Sequence, residues 1–162
     1  IVLAGCQTSD PNFSAFLDRE SSFNLPEQVV LPRDPEQITG KSQAEQMVSN
    51  AIELGKLKRY GEAERLLREV RSLQYRESEA YRAITNVLAI ISLKRGDLEV
   101  FKRLGGEIDM LLGKPLKVPA KHLAVISLAR VMSGSPIPIN APERLRKFQR
   151  NYFSNKSNTR KL

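Results

Sequence analysis

Residues 54–70 of the chain read LGKLKRYGEAERLLREV, which contains the end of one helix, a turn and most of a second helix. Beyond the turn at residues 59–61, apolar residues recur at intervals of three and four: Ala63, Leu66, Leu67 and Val70. This spacing is typical of a helix that buries one of its faces. The stretch therefore predicts two antiparallel helices that pack against each other.

The same periodicity continues on both sides of this hairpin and predicts about six helices in all. Upstream, Ser42 followed by Glu45 is the pattern of a capping box at a helix start. Downstream, the predicted helices span about residues 77–95, 98–112 and 119–133, and a sixth begins at residues 141–143. The helix at 77–95 is apolar around most of its circumference, so we expect it to be central. No strand-like alternation of useful length occurs, and the predicted fold class is all-α.

An internal offset of 38 residues relates two parts of this helical region. Tyr60 aligns with Leu98 at this offset, and Ala51 aligns with Ala89. A sequence offset of this length is typical of repeated helical hairpins. We therefore expect Ala89 to lie at a close contact between helices.

The stretch at residues 54–70 resembles a tetratricopeptide repeat. Tyr60 and Ala63 open the second helix with the spacing that this family uses, and Leu67 and Val70 follow at the expected positions. The resemblance implies a stack of antiparallel helical hairpins with a concave groove that holds a segment of another protein.

The second unit departs from the tetratricopeptide pattern. Phe101 stands where the family prefers alanine, and Gly105 stands where it has a large apolar residue. The resemblance covers about residues 43–112. A generic α-helical bundle with similar turns is the alternative.

A second resemblance lies in the first residues. Leu3-Ala4-Gly5-Cys6 resembles the lipobox of bacterial lipoproteins. In that family the chain is cut before the cysteine, whose sulfur and new amino group receive acyl chains. The residue after the cysteine guides sorting, and Gln7 in place of aspartate implies the outer membrane, on its periplasmic face. The alternative is that Cys6 is a small buried residue that matches by chance.

Residues 7–40 contain four prolines and an acidic excess, a composition that predicts an extended tether. Within this segment, Phe13, Phe16 and Leu17 share one face of a predicted short helix. The apolar patch at residues 29–31 predicts that the segment docks in part on the folded domain. The predicted organisation has four parts. Residues 1–6 are the end of a lipoprotein signal with the acylation site, and residues 7–40 are the tether. Residues 41–135 form a helical-hairpin domain, and residues 136–162 form a basic C-terminal helix and tail.

Basic residues concentrate at the C-terminal end of the chain. The formal net charge is +8, and residues 110–162 contain 11 basic residues and one acidic residue. We expect four of these residues to contact an anionic lipid surface or an acidic partner: Arg144, Arg146, Lys147 and Arg150. The alternative is a docking helix whose cationic face is solvated. We expect no nucleic-acid partner, because an exported lipoprotein rarely meets one.

The residue counts exclude several kinds of chemical site. One cysteine and one histidine cannot form a disulfide within the chain, a four-cysteine zinc cluster or a histidine pair. The sequence indicates no orienting partner or nucleophile for His122, so we expect no catalytic role for it. Gly105-Gly106 lacks the Lys-Ser/Thr ending of a phosphate loop and predicts a kink or a close helix contact. A solvated, ion-paired helix face is predicted for Glu62, Glu64 and Glu69 with Arg65, Arg68 and Arg71.

The predicted function is that of a protein-binding adaptor without enzyme activity, metal or cofactor, anchored to the outer membrane through acylated Cys6. Lipoproteins with such helical domains serve as pilotins or as adaptors in outer-membrane protein assembly and cell-wall synthesis. Among these roles, the small size and the absence of a second domain favour assembly of a secretion or pilus complex, with an envelope protein as partner. Alternatives are a permanent structural subunit of a larger cell-envelope machine, or an adaptor for cell-wall synthesis or outer-membrane protein assembly. A hydrolase of envelope polymers is a third class, against which the lack of plausible catalytic residues argues.

Overall fold

A computed structural model describes residue 17 and residues 19–32 and 42–147 of the chain. Five α-helices lie in this part: α1 (Gln43–Lys56), α2 (Tyr60–Ser72), α3 (Glu79–Arg95), α4 (Leu98–Leu111) and α5 (Leu123–Ser133). Two 3-10 turns span Ser21–Phe23 and Ala120–His122, and residues 143–147 form a sixth helical stretch. These residues include no strand, which confirms the predicted all-α class with about six helices. None of the described helices is long and apolar enough to cross a membrane.

The helices pack in chain order, each against the next, and alternate members of the series also touch. α3 packs between α2 and α4, and it also contacts α1 and α5. All side chains from residue 87 to residue 93 are buried, although a surface helix would expose about half of them. The prediction that this helix is central is therefore confirmed.

Local sequence signals account for the helix ends. The predicted cap at the start of α1 is confirmed, since the Ser42 hydroxyl accepts a hydrogen bond from the Glu45 backbone N–H at 3.1 Å. Asp97 caps α4 in the same way, and Gly96 ends α3 in a left-handed conformation. The predicted start of the fifth helix at 119 was four residues early. A tighter 3-10 turn occupies Ala120–His122 before α5 begins.

The 38-residue offset is present in the structure. α2 begins at Tyr60 and α4 begins at Leu98, and these are the two residues that the sequence aligned. Ala51 and Ala89 are both fully buried, which confirms that Ala89 lies at a packed contact. The two hairpins therefore share one register of helix starts and buried positions.

The segment at residues 19–32 packs against the helices. Phe23 and Leu31 belong to the core, and Val29 is partly buried against it, so the predicted docking of residues 29–31 is confirmed. Leu25 contacts α1 at Gly55, where a Cβ atom would lie 2.8 Å from a terminal methyl group of Leu25. Gly55, which lowers helix propensity, thus makes room for this segment.

The predicted short helix that contains Phe13, Phe16 and Leu17 is described by the structure only in part. Leu17 is helical, and it is partly buried against the core. Phe13 and Phe16 lie outside the described residues.

Candidate functional site

A groove with a volume of about 680 Å³ runs between α4 and α5. Its α4 side carries Lys102, Arg103, Gly106 and Met110, which follow the spacing of one helix stripe. Its α5 side carries Ala129 and Arg130. The volume lies within the range of about 300–1,000 Å³ that is typical of ligand-binding clefts.

Two adjacent glycines on α4 shape this groove in different ways. A Cβ atom at position 105 would lie 2.6 Å from the Cβ atom of Ala129, so the absence of a side chain at Gly105 lets α4 and α5 approach closely. A Cβ atom at position 106 would meet nothing within 4 Å. Gly106 therefore leaves open space in the groove wall. The predicted close helix contact at Gly105-Gly106 is confirmed at Gly105.

A buried ion pair forms one wall of the groove. The Arg130 guanidinium donates to both carboxylate oxygens of Asp109, at 2.8 and 2.6 Å, and also to the Pro115 carbonyl at 2.8 Å. The hydrogen bonds to Asp109 raise the pKa of Arg130 above its usual value. Each side chain is only 10% exposed, so water contributes little, and these hydrogen bonds satisfy both charges within the protein. This pair fixes α5 to α4 and to the loop after it.

The other acidic residue of the groove is also partnered. Glu107 accepts a hydrogen bond of 2.5 Å from the Tyr81 hydroxyl, and the guanidinium groups of Arg71 and Arg76 lie 3.6 and 3.9 Å from its carboxylate. Burial and this hydrogen bond raise the pKa of Tyr81. Arg71 also lies 5.2 Å from the centre of the Tyr81 ring, a cation–π distance. The negative charge of Glu107 is thus neutralised locally.

The basic residues of the groove outnumber the acidic ones. Counted over the described part of the chain, five basic and two acidic side chains line it, which gives these residues a net charge of +3. Lys102 lies 3.4 Å from Glu99, a pair in which both side chains are exposed. Within the part of the chain that the structure describes, Arg103 and Lys114 form no salt bridge. Both cations therefore remain available to a ligand.

A smaller pocket of about 310 Å³ lies between residues 26–30 and α3. His122 and Asn86 line it, with the His122 Nδ1 atom 3.3 Å from the Asn86 side-chain oxygen. Burial, with smaller contributions from Arg82 and Lys121, lowers the pKa of His122 to about 4. The imidazole is therefore neutral at pH 7.

The basic residues predicted from the sequence lie elsewhere. Arg144 places its Nε atom 3.1 Å from the carboxylate of Glu20, and Arg146 donates hydrogen bonds to the carbonyl oxygens of Pro138 and Ile139. Lys147 is exposed, and none of the three lines the groove. Cys6, Gln7 and Arg150 lie outside the described residues.

The ion pairs of α2 differ from the predicted arrangement along one helix face. Glu62 pairs with Arg59 at the start of α2, and Glu64 pairs with Arg95 at the end of α3. Arg71 contacts Glu107 on α4. Glu62 is thus paired locally, while the pairs of Glu64 and Arg71 connect α2 to α3 and α4.

The sequence interpretation did not identify the groove. One signal was available, because Arg130 is the one charged residue in the largely apolar stretch from Leu123 to Val131. A charged residue in such a position indicates a buried partner of opposite charge. The partner, Asp109, is 21 residues away, and no local pattern connects the two.

Comparisons with known proteins found no match: no protein-family model, curated protein or solved structure is similar to this chain. Among the residues that the structure describes, no group of three or more histidine, cysteine, aspartate or glutamate side chains is arranged to hold a metal ion.

Proposed function

We propose that this protein is a lipid-anchored, protein-binding adaptor on the periplasmic face of a bacterial outer membrane. Its role would be in the assembly of a secretion or pilus complex. The observation that carries the binding role is the open groove between α4 and α5. The lipobox-like residues at 3–6 support the anchor.

The shape of the groove favours a chain segment as its occupant. Its α4 side extends from residue 102 to residue 111, and the wall continues to residue 114. Along a helix, the first part alone measures about 14 Å at 1.5 Å per residue. A groove of this kind accepts a helix of a few turns or a short extended segment.

The anchor follows from the physical effect of acylation. Each buried methylene group contributes about 0.8 kcal/mol to membrane binding, and a single acyl chain anchors only marginally. Cys6 carries several chains in the lipoproteins that it resembles. The groove would then be held near the membrane surface, where envelope complexes assemble.

Metabolic labelling with an alkyne fatty acid tests the anchor. We expect the wild-type protein to be labelled and to sediment with membranes, and Cys6→Ala to be unlabelled. Cys6→Ser is the matched variant, because it keeps a side chain of similar size and replaces the thiol by a hydroxyl group. We expect it to be unlabelled as well. Equal labelling of all three proteins would contradict the anchor.

Site-specific photo-crosslinking in intact cells tests the adaptor role. A photoreactive amino acid replaces Met110 in the groove or Leu57 in the turn between α1 and α2, and these two side chains are 65% and 67% exposed. We expect a discrete envelope-protein adduct at position 110 and not at position 57. The same adducts at both positions, or none at 110, would contradict binding in the groove.

Exposed apolar side chains favour one alternative, a permanent subunit of a larger envelope machine. Leu73 and Tyr75 are exposed in the turn after α2, and Leu116 and Ile139 are exposed on two loops that share a backbone hydrogen bond. Surfaces of this kind are often covered by partners. Purification without the acyl chains distinguishes the two roles, since an adaptor is a stable monomer and an orphaned subunit aggregates.

A further inference from the structure

We infer that the groove between α4 and α5 selects an acidic, amphipathic segment of its partner protein. This inference rests on the proposed adaptor function and names the chemistry of the partner. Carboxylates of the segment would pair with Arg103 and Lys114. An apolar side chain of the segment would fill the space beside Gly106.

The positive charge of the groove favours an acidic segment. Asp109 is satisfied by Arg130, and Glu107 is satisfied by Tyr81 and Arg71. Neither carboxylate is free to neutralise a further cation. An incoming segment therefore meets the positive charges of Arg103 and Lys114, and negative charge on the segment favours its association with the groove.

The apolar part of the groove favours a segment that is also amphipathic. Beside the cations lie the open space at Gly106 and the exposed side chain of Met110. A segment with carboxylates alone would leave this strip exposed to water. An apolar side chain at helical spacing from the carboxylates would bury it, and methionine adapts well to varied apolar partners.

The lining residues favour a protein over the other anionic macromolecules. Among the residues that the structure describes, no aromatic side chain lines the groove, whereas stacking on aromatic rings is typical of single-stranded nucleic-acid sites. The cations stand around a concave, partly apolar cleft, while a lipid surface is flat on this scale. The geometry therefore matches helix-in-groove recognition.

A synthetic peptide pair provides the direct test. The first peptide has about 12 residues, three helix turns, with glutamate and leucine alternating at intervals of three and four. The second replaces each glutamate by glutamine. Fluorescence anisotropy with the folded chain should show binding of the glutamate peptide that is about tenfold tighter and weakens with added salt.

Variants of the chain locate the binding to the groove. Arg103→Gln with Lys114→Gln should weaken binding of the glutamate peptide about tenfold. Arg65→Gln with Arg68→Gln, which removes the same charge from exposed positions on α2, should leave it unchanged. Gly106→Phe should abolish binding by filling the open space. Gly61→Phe is its matched control, because a Cβ atom there also meets nothing within 4 Å.

The outcomes separate this inference from the adaptor function. Equal binding of both peptides, or no effect of the Arg103 and Lys114 substitutions, would overturn the acidic selectivity while an adduct at position 110 still supported the adaptor. Concentration-dependent dimerisation lost in Gly106→Phe would assign the groove to a second copy and overturn the inference. Urea unfolding of each variant confirms that it is folded.

Discussion

Gly105 on α4 faces Ala129 on α5 so closely that a Cβ atom at position 105 would lie 2.6 Å from the Ala129 Cβ atom. In the 38-residue offset, Gly105 occupies the position of Leu67, which is fully buried in the first hairpin. A leucine at 105 would hold α5 away from α4. The departure from the tetratricopeptide pattern at Gly105 therefore has a packing reason.

Gly105→Ala should lower the free energy of unfolding by up to about 2 kcal/mol. The overpacking cost of about 1–3 kcal/mol exceeds the gain of about 1 kcal/mol in helix propensity, because the neighbouring atom belongs to a rigid alanine. Gly106→Ala should instead raise the free energy of unfolding by about 0.5–1 kcal/mol, since its methyl group meets open space. Urea unfolding measures both, and equal shifts of the same sign would contradict the close contact.

The buried pair of Asp109 and Arg130 gives a second prediction. Asp109→Asn should lower the free energy of unfolding by about 3 kcal/mol, because the Arg130 guanidinium would stay buried without its counter-charge. Replacing both residues, with Asp109→Leu and Arg130→Met, should cost much less than the single change. Urea unfolding of Asp109→Leu, of Arg130→Met and of the double variant gives the coupling energy. Additive effects would show that the two charges act independently.

The helices could be predicted from the sequence because their signals are local. Periodicity located α1 to α5, and Ser42 identified a helix start. Gly96 and Asp97, at the junction of α3 and α4, carry signals of the same local kind. Each signal depends on residues within one or two turns.

The packing between distant residues could not be predicted in the same way. Phe23 is fully buried, yet it lies in a proline-rich segment without periodicity, and its burial comes from tertiary contacts with the helices. The groove depends on the register of Gly105 against Ala129, which no periodicity within either helix determines. Basic composition predicted an anionic partner, and this stays a prediction. It pointed to the C-terminal residues, and the basic groove was missed.

The C-terminal basic residues give a third prediction. Arg144 and Arg146 have partners within the protein, so the residues to neutralise are Lys147 and Arg150. Changing both to glutamine should reduce binding of the non-acylated protein to anionic vesicles, since each cation near such a surface contributes about 1 kcal/mol. Co-sedimentation with anionic and neutral vesicles measures this effect. Arg65→Gln with Arg68→Gln is the charge-matched control, and equal loss in both variants would contradict a specific contact.

His122 gives a fourth prediction, on the pH dependence of stability. Burial lowers its pKa from 6.5 to about 4, and the positive charges of Arg82 and Lys121 act in the same direction, while Glu79 opposes them. The unfolded chain therefore binds a proton at higher pH than the folded chain. The stabilisation due to the neutral imidazole is complete above pH 6.5, and it is lost as the pH falls from 6.5 towards 4.

The loss attributable to His122 should be about 1–3 kcal/mol across this interval, because each pKa unit corresponds to about 1.4 kcal/mol and solvent access reduces the full value. His122→Gln removes the titrating group and keeps a polar side chain that can meet Asn86. Urea unfolding at several pH values should give a shallower decline for this variant than for the wild type. Carboxylates titrate in both proteins, so the difference between the two curves isolates the histidine. Parallel curves would show that the imidazole is not held neutral by the fold.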